Sequence, residues 1–268
     1  MIKVREGYKN SEVGVIPVEW EVVSLGDVSK ITMGQSPKSD TYNTNNIGMP
    51  LIQGNADCKN RKTIPRTYTT ELTKECFVGD IIMTVRAPVG AISKSLHNAC
   101  IGRGVCSIKS KEDNGYIYHC LVNYEDRWDK LSQGSTFTAV SGNDIKNLKI
   151  PLPPLKEQEK IADILSTADE KIDATQGLIQ KAETLKKGLL QKLLSEGIGH
   201  SEFKDSELGK IPESWEVVEF GKHLDVKSGF GFKAADYSQS GIPLVKIDNV
   251  SYGNIIWENI TYLPTEFA

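Results

Sequence analysis

Short apolar runs, separated by glycine, proline and asparagine, fill the first 150 residues of the chain. Six of them are typical of β-strands, because turn residues bound short runs rich in aliphatic side chains: WEVVSL (20–25), PLIQG (50–54), GDIIMTV (79–85), AIS (91–93), GVCSI (104–108) and LKIPL (148–152). A longer stretch over 116–131 predicts a helix, with Ile117, Leu121, Tyr124 and Trp128 on one face. Residues 1–150 are therefore predicted to form a strand-rich α+β domain with polar loops at 35–47 and 55–71.

The pattern changes abruptly at residue 151. Prolines and Glu157 suit the start of a helix, and lysines followed by Gly197 suit its end. Apolar residues then recur at alternating spacings of four and three, as in a coiled-coil seam interrupted at Thr175 and Lys186: Ile161, Leu165, Ala168, Ile172, Ile179, Ala182, Leu189 and Leu193. A helix of about 40 residues spans about 60 Å, which is more than the preceding domain can cover. Residues 151–199 are predicted to be a spacer helix that pairs with another helix.

After the helix the sequence repeats itself. Residues 11–34 and 206–229 agree at 11 of 24 positions with an offset of 195, and Trp20 recurs as Trp215. Further on, GMPLIQGNAD (48–57) is echoed by GIPLVKIDNV (241–250). A period of this size corresponds to a whole domain with its connector rather than to a solenoid unit. Residues 200–268 are predicted to be the incomplete start of a second copy of the first domain.

The charge distribution permits a nucleic-acid partner without requiring one. The net charge is −3, but residues 1–150 hold 19 Lys and Arg against 16 Asp and Glu, while residues 201–268 hold 6 against 11. Nucleic-acid binding needs a local positive face rather than a basic average. No apolar run approaches the ~18 residues of a transmembrane helix, and the first residues lack the apolar stretch of a signal peptide. These features predict a cytoplasmic protein with no membrane partner.

Signatures of catalysis are missing from the sequence. It contains neither a GxxxxGK[ST] phosphate loop nor a GxSxG nucleophile elbow. The five cysteines and four histidines show no CxxC or HExxH spacing, so reduced core thiols are favoured over a metal site. A stand-alone enzyme that uses cysteine or histidine chemistry is the least favoured interpretation.

Polar and basic residues cluster in the predicted loops. The segment CKNRKTIPRTYTT (58–70) is the richest of them, since Lys and Arg contact phosphates while Arg and Asn pair bidentately with base edges. The loops at 35–46 and 131–146 add short hydrogen-bonding side chains, and two arginines stand at strand ends. The candidate DNA-binding residues are Lys38, Lys59, Asn60, Arg61, Lys62, Arg66, Tyr68, Arg86, Arg103, Gln133, Ser135 and Thr136.

Taken together, these segments resemble the specificity subunit of type I restriction–modification systems, over nearly the whole chain. The resemblance rests on three motifs: the [IV]P-x-x-WE-V-x-x-[LF]G opening at 16–26 and 211–221, GDIIMTVRAPVGAIS (79–93), and QGSTFTAVSGNDIKNLKIPLPPLKEQEKIADIL (133–165).

The resemblance implies two target recognition domains, each followed by a long helix, with the two helices packed antiparallel. Each domain of such a subunit reads one half of an interrupted sequence in double-stranded DNA. The family carries no catalysis. It binds adenine methyltransferase subunits, which use S-adenosylmethionine, and the assembly recruits ATP-dependent restriction and translocase subunits. No cofactor is therefore expected on this chain itself.

Placed on this chain, the resemblance makes residues 1–150 the first recognition domain, 151–199 the spacer helix and 200–268 the opening of a second domain. We therefore expect a homodimer that pairs its 156–196 helices antiparallel and reads an interrupted palindrome. The alternative is a truncated scaffold protein that binds methyltransferase subunits but reads no DNA.

Overall fold

The computed structural model describes residues 5–128 and 139–267. The chain divides into two compact units, Met1–Glu183 and Thr184–Ala268. This boundary falls inside the long helix, so the division of the sequence at residues 150 and 199 stays a prediction.

The first unit is rich in short strands, which agrees with the α+β class predicted from the sequence. In chain order they are β1 (Tyr8–Ser11), β2 (Gly14–Pro17), β3 (Glu21–Ser24), β4 (Ser29–Met33), β5 (Tyr42–Asn43), β6 (Met49–Ile52), β7 (Cys58–Lys59), β8 (Lys62–Thr63), β9 (Thr67–Thr69), β10 (Glu75–Cys76), β11 (Ile81–Thr84), β12 (Ile92–Lys94), β13 (Ala99–Ile101), β14 (Val105–Ser110) and β15 (Lys149–Leu152).

Two larger sheets organise this unit. One has the strand order β4–β14–β11–β12–β8–β7, and the other has the order β10–β13–β6–β9–β5. Because neighbouring residues of a strand point to opposite faces, β14 contributes side chains to two separate apolar clusters. Its Cys106 and Ile108 belong to a large apolar cluster, whereas Val105 belongs to a smaller one with Ile52 and Ile101.

Helices close the larger core. They are α1 (Leu25–Val28), α2 (Asn114–Asn123), α3 (Gly142–Lys146) and α4 (Leu155–Glu196). The Asp113 side chain caps α2 by accepting a hydrogen bond from the backbone N–H of Tyr116 at 2.7 Å, which satisfies a free donor of the first turn. The four residues predicted to share one face over 116–131 are all buried: Ile117, Leu121, Tyr124 and Trp128.

The polar segments expected to be loops contain strands, which corrects that expectation. Strand β5 lies within 35–47, and β7, β8 and β9 lie within 55–71. Strands β7 and β8 form a tight antiparallel hairpin through Asn60 and Arg61, whose φ angles are 49° and 56°. Two successive positive φ values are typical of the turns that match strand twist. The sequence did not predict this turn, because Arg61 occupies the second turn position, where glycine is usual.

Helix α4 confirms the long helix predicted from the heptad spacing. Its first turns pack on the large apolar cluster of the first unit, where Gln158 and Ala162 are buried and Ile161 is half-buried. The side-chain amide of Gln158 donates to the Pro153 carbonyl at 2.9 Å and accepts from the Asp113 backbone N–H at 3.3 Å. The helix is therefore fixed where it leaves β15, and beyond these turns its apolar residues are exposed.

The second unit repeats the opening of the first in three dimensions. Its strands are β16 (Phe203–Ser206), β17 (Gly209–Pro212), β18 (Ile242–Leu244), β19 (Val250–Ser251), β20 (Asn254–Ile255) and β21 (Thr261–Leu263). The β16–β17 hairpin runs from Phe203↔Pro212 to Ser206↔Gly209, and β1–β2 runs from Tyr8↔Pro17 to Ser11↔Gly14.

The side-chain contacts of the two hairpins match as well. Ser11 and Ser206 each donate to the carbonyl of the glycine three residues later, at 2.6 and 2.7 Å. The resemblance stops at the next segment. Glu21–Ser24 forms a strand that pairs with β15, whereas Val217 and Val218 are exposed and outside any strand.

Candidate nucleic-acid interface

Arg103 stands in a tight turn between β13 and β14. The turn reads Gly102–Arg103–Gly104, and its backbone closes against β6: a Cβ at position 104 would lie 2.1 Å from the Gln53 carbonyl oxygen. The Arg103 backbone N–H donates to the Ser36 hydroxyl at 3.1 Å. Only glycine fits so close an approach at position 104. The close packing and the Ser36 hydrogen bond fix the backbone of the turn, and the Arg103 side chain is exposed.

Arg86 follows β11 in a second turn, which Thr84 holds. The Thr84 hydroxyl donates to the Pro88 carbonyl at 2.6 Å and accepts from the Ala91 backbone N–H at 3.0 Å. The Gly90 backbone N–H donates to the Thr84 carbonyl at 2.8 Å. These bonds fix the turn, and Arg86 is exposed on it.

Arg86 and Arg103 line one cleft of about 190 Å³, the arginine cleft. The other side chains that line it are neutral and polar or small: Ser36, Gln53, Asn55 and Ala87, with Gly54 and Gly104. The backbone of Gln53 is fixed, because its N–H donates to the buried Asp57 carboxylate at 2.8 Å. The cleft thus combines two guanidinium groups with amide and hydroxyl groups on a fixed backbone.

The basic segment 58–70 lies elsewhere, and its cations are largely paired inside the chain. Arg61 donates to both carboxylate oxygens of Glu125 at 2.7 and 2.9 Å, and Lys62 forms an ion pair with Asp173 of α4. Arg66 lies 3.2 Å from the Asp57 carboxylate, which also accepts the Gln53 backbone N–H. Arg61 and Lys62 therefore join the β7–β8 hairpin to neighbouring helices, a role that the local sequence did not indicate.

The remaining predicted residues are scattered. Lys38, Lys59 and Asn60 are exposed, and Tyr68 is half-buried in β9. Asn60 borders a groove between the β7–β8 hairpin and α4, together with Arg61, Lys62 and Lys94. Gln133, Ser135 and Thr136 lie outside the described residues. The roles of all these residues in DNA binding stay predictions.

Three lysines that the sequence search missed gather in a second cleft, of about 330 Å³. Lys30 and Lys109 are direct cross-strand partners in the β4–β14 register, and Lys74 lies beside them. Like charges directly opposite one another destabilise a sheet, so this pair needs negative charge nearby. Glu75 and Asp80 line the same cleft, and a bound phosphate would add to them. Alternation within SKITM (29–33) and VCSIKS (105–110) could have placed Lys30 and Lys109 on one face, but only once the pairing of the two strands was known.

Burial raises the pKa of the Cys106 and Cys120 thiols to about 12, so both are neutral near pH 7 and poor nucleophiles. Across residues 5–128 and 139–267, no group of three His, Cys, Asp or Glu side chains could hold a metal ion. Within the same residues, no helix is long and apolar enough to cross a membrane.

The α4 seam is exposed over most of its length. Ile172 and Ile179 are 55% and 54% exposed, and Leu165, Ala168, Ala182, Leu189 and Leu193 are exposed as well. Ile161 differs, because it packs against the core of its own unit. An apolar stripe of this length in water is typical of a surface that another helix covers.

A strand-rich domain with a cationic cleft, followed by a long helix with an exposed apolar stripe, suits a protein that binds an anionic polymer such as nucleic acid. Comparison with known proteins gives the particular family. Residues 17–184 match the family described as "Type I restriction modification DNA specificity domain". The chain belongs to this family.

Relatives and solved structures agree. The chain is 30% identical over 269 residues to the type I restriction enzyme MjaVIII specificity subunit of Methanocaldococcus jannaschii, covering 98% of this chain and 62% of that one. It is 27% identical over 278 residues to the MjaIX specificity subunit of the same organism, covering 94% and 63%. The crystal structure of the HsdS subunit from Thermoanaerobacter tengcongensis is similar with a TM-score of 0.55 and 30% identity, over 70% of this chain and 47% of that one. The chain spans about half to two thirds of the length of these proteins.

Proposed function

We propose that this chain is the DNA-specificity component of a type I restriction–modification complex and has no catalytic activity of its own. The observation that carries the proposal is the family match over residues 17–184, which includes both clefts and most of α4. The relatives are named as specificity subunits of type I restriction enzymes.

The first unit reads one half of an interrupted target in double-stranded DNA. Two features support this role. One is the cleft that Arg86 and Arg103 share with Gln53 and Asn55, and the other is the cleft that three lysines line together with Glu75 and Asp80. Arginine and amide side chains suit base edges, and lysines suit backbone phosphates.

The reaction chemistry belongs to partners. Adenine methyltransferase subunits, which bind S-adenosylmethionine, and ATP-dependent restriction and translocase subunits act where this chain directs them. The relatives are named as specificity subunits, which supports a chain that contributes binding rather than catalysis.

The long helix pairs two copies of the chain in an antiparallel homodimer. The support for this is the exposed seam from Leu165 to Leu193, whose apolar positions repeat at the coiled-coil spacing. A two-fold interface brings the same patch of each copy together, so a self-complementary stripe suits it. The DNA target would then be an interrupted palindrome.

Mapping methylated adenines in cells that express the chain with its methyltransferase subunits tests both the specificity role and the homodimer. We expect a single interrupted site whose two halves are inverted copies. A site with two unrelated halves would overturn the homodimer while leaving the specificity role intact. Methylation that is absent, or unrelated to sequence, would overturn the specificity role itself.

A further inference from the structure

The arginines of the chain fall into two groups. Four have a partner: Arg5 lies over the Tyr8 ring, Arg61 binds Glu125, Arg66 binds Asp57 and Arg127 lies over the Tyr124 ring. The other two are Arg86 and Arg103. Within residues 5–128 and 139–267, neither guanidinium has a hydrogen-bond, ion-pair or ring partner. These two arginines are also the pair that shares a cleft.

The cleft keeps both groups available to a ligand. None of its lining residues is Asp or Glu, so no carboxylate in the cleft competes for the guanidinium groups. A guanidinium carries five N–H donors in a flat fork and stays charged at any ordinary pH. Two such forks on one concave surface favour a ligand that offers several acceptors at fixed spacing.

The backbone beneath the two arginines is fixed by contacts that do not involve their side chains. The Val85 backbone N–H donates to the Gly104 carbonyl at 2.9 Å, which ties the Arg86 turn to the Arg103 turn. The Gly102 backbone N–H donates to the Ile52 carbonyl at 2.8 Å, which ties the Arg103 turn to β6. Side chains on a fixed scaffold lose less entropy on binding, and this favours discrimination between similar ligands.

The other groups in the cleft match the edge of a base pair. Gln53 and Asn55 each present an amide, which pairs with N6 and N7 of adenine, while arginine pairs with O6 and N7 of guanine. At about 190 Å³ the cleft lies below the usual ~300–1,000 Å³ of a pocket that encloses a small molecule. An open groove of this size suits contact with an edge rather than enclosure of a whole ligand.

We propose that Arg86 and Arg103 are the specificity-determining arginines of the first unit, and that at least one of them pairs with a guanine in the major groove. Gln53 and Asn55 supply the neighbouring contacts. This proposal rests on the proposed DNA-specificity function and assigns its reading site. Under this proposal Arg61 does not contact a base, because both terminal nitrogens of its guanidinium already donate to the Glu125 carboxylate.

Selection of binding sequences from a random duplex library, with the full chain, tests the proposal. The variants are Arg86→Lys and Arg103→Lys, which keep the charge but lose the two-pronged donor, and Arg5→Lys is the matched control. We expect one or both cleft variants to lose preference at a guanine position by about 5- to 150-fold, as expected for one bidentate pair. Their overall affinity for random DNA should change little, and the control should select the wild-type sequence.

The outcomes separate this proposal from the function on which it rests. If the wild-type chain selects a sequence and both cleft variants select the same one, the arginine assignment is wrong and the specificity role stands. If the wild-type chain selects no sequence, the specificity role fails and the assignment fails with it. Thermal unfolding of each variant verifies the fold, which these exposed substitutions should leave unchanged.

Discussion

The guanidinium of Arg61 donates to both carboxylate oxygens of Glu125, across 64 positions of the chain. The same carboxylate accepts the backbone N–H of Ile92 at 2.7 Å. Arg61 itself occupies the left-handed region, with φ 56°. The pair therefore anchors a strained hairpin turn to the helical segment that follows α2, and Arg61 stabilises the fold instead of standing free for a ligand.

Arg61→Ala should accordingly lower the free energy of unfolding by about 1–2 kcal/mol, the value of charge-assisted hydrogen bonds reduced by solvent screening. The Arg61 side chain is 43% exposed, which is why the larger estimates for buried pairs do not apply. Urea unfolding measures the loss, and Arg86→Ala is the control, with an expected change within about 0.5 kcal/mol. The sequence selected from a random library should stay that of the wild type. If Arg61→Ala changed the base preference and left the stability unchanged, Arg61 would instead be a DNA-reading residue.

The exposed seam of α4 predicts that Ile179→Asp separates the proposed homodimer. A buried, unpaired carboxylate at the centre of a helix pair is costly, whereas the same residue on a free helix is solvated. Sedimentation equilibrium should show a dimer for the wild type and a monomer for the variant. Ala174→Asp adds the same charge at an exposed position outside the seam and should remain dimeric. Identical masses for all three proteins would rule out pairing through this face.

The Lys30–Lys109 pair predicts opposite effects on folding and on DNA binding. Lys109→Gln removes a like-charge cross-strand contact, so the free protein should gain about 0.2–1 kcal/mol of stability. If the pair binds a phosphate, affinity should fall by a similar factor for every duplex, and the slope of log affinity against log salt should fall by about one. Titrations at several salt concentrations measure this slope. An effect confined to one sequence would instead place Lys109 among the base-reading residues.

His119 predicts a loss of stability at mildly acidic pH. Its side chain is buried, with Nε2 3.1 Å from the Ser166 hydroxyl of α4. Burial lowers the pKa of His119 from its ordinary 6.5, and the Asp169 carboxylate opposes this while the Lys94 and Arg61 cations reinforce it. Because the unfolded chain then binds a proton more readily, this contribution is complete above the ordinary pKa and declines as the pH falls through it.

The variant His119→Gln, which retains a hydrogen-bonding group, isolates that contribution. The wild-type protein should exceed the variant in unfolding free energy most at about pH 7.5, and the difference should shrink towards about pH 5. Denaturant unfolding at a series of pH values gives both curves. Parallel curves would show that His119 does not titrate between the folded and unfolded states in this range.

Two glycines test whether the second unit folds as the first does. Gly48 and Gly241 have φ values of +86° and +131°, and a Cβ at either would lie 2.2 Å from a carbonyl oxygen of the paired strand, in Thr69 or Leu263. Alanine at each position should weaken the adjoining strand pair by at least about 1–3 kcal/mol. Hydrogen exchange should show lost protection at β6 and β9 for Gly48→Ala, and at β18 and β21 for Gly241→Ala.

Gly221→Ala is the control for the second unit, because its Cβ would meet nothing within 4 Å. That variant should keep the wild-type exchange pattern. If Gly241→Ala also kept it, the β18–β21 pairing would not form in solution.

Local pattern was sufficient for much of this fold. The heptad spacing and the helix-end signals predicted a long helix within 151–199, and α4 occupies Leu155–Glu196. The sequence repeat predicted a second copy of the opening, although not the hairpin with which each copy begins. Arg86 and Arg103 were recognisable as strand-end side chains, because each follows an apolar run and stands beside small residues. These features depend on neighbours that are close in sequence.

Pairing between distant segments was not predictable in the same way. Arg61 and Lys62 had the composition of a DNA contact, yet their partners lie 64 and 111 positions away. Lys30 and Lys109 are unremarkable until β4 and β14 are aligned. The β7–β8 turn was missed because Asn60 is followed by arginine, where a turn of this type normally has glycine. In each case the deciding interaction is tertiary.

The glycines on either side of Arg103 have a consequence for how this protein can change over generations. The backbone there is set by Gly102 and Gly104 against β6, and the side chain at 103 takes no part in holding it. A codon change at that one position therefore alters the chemistry presented in the cleft while the domain continues to fold. With Arg103 reading a base as proposed, one substitution could change the DNA preference without a compensating change for stability.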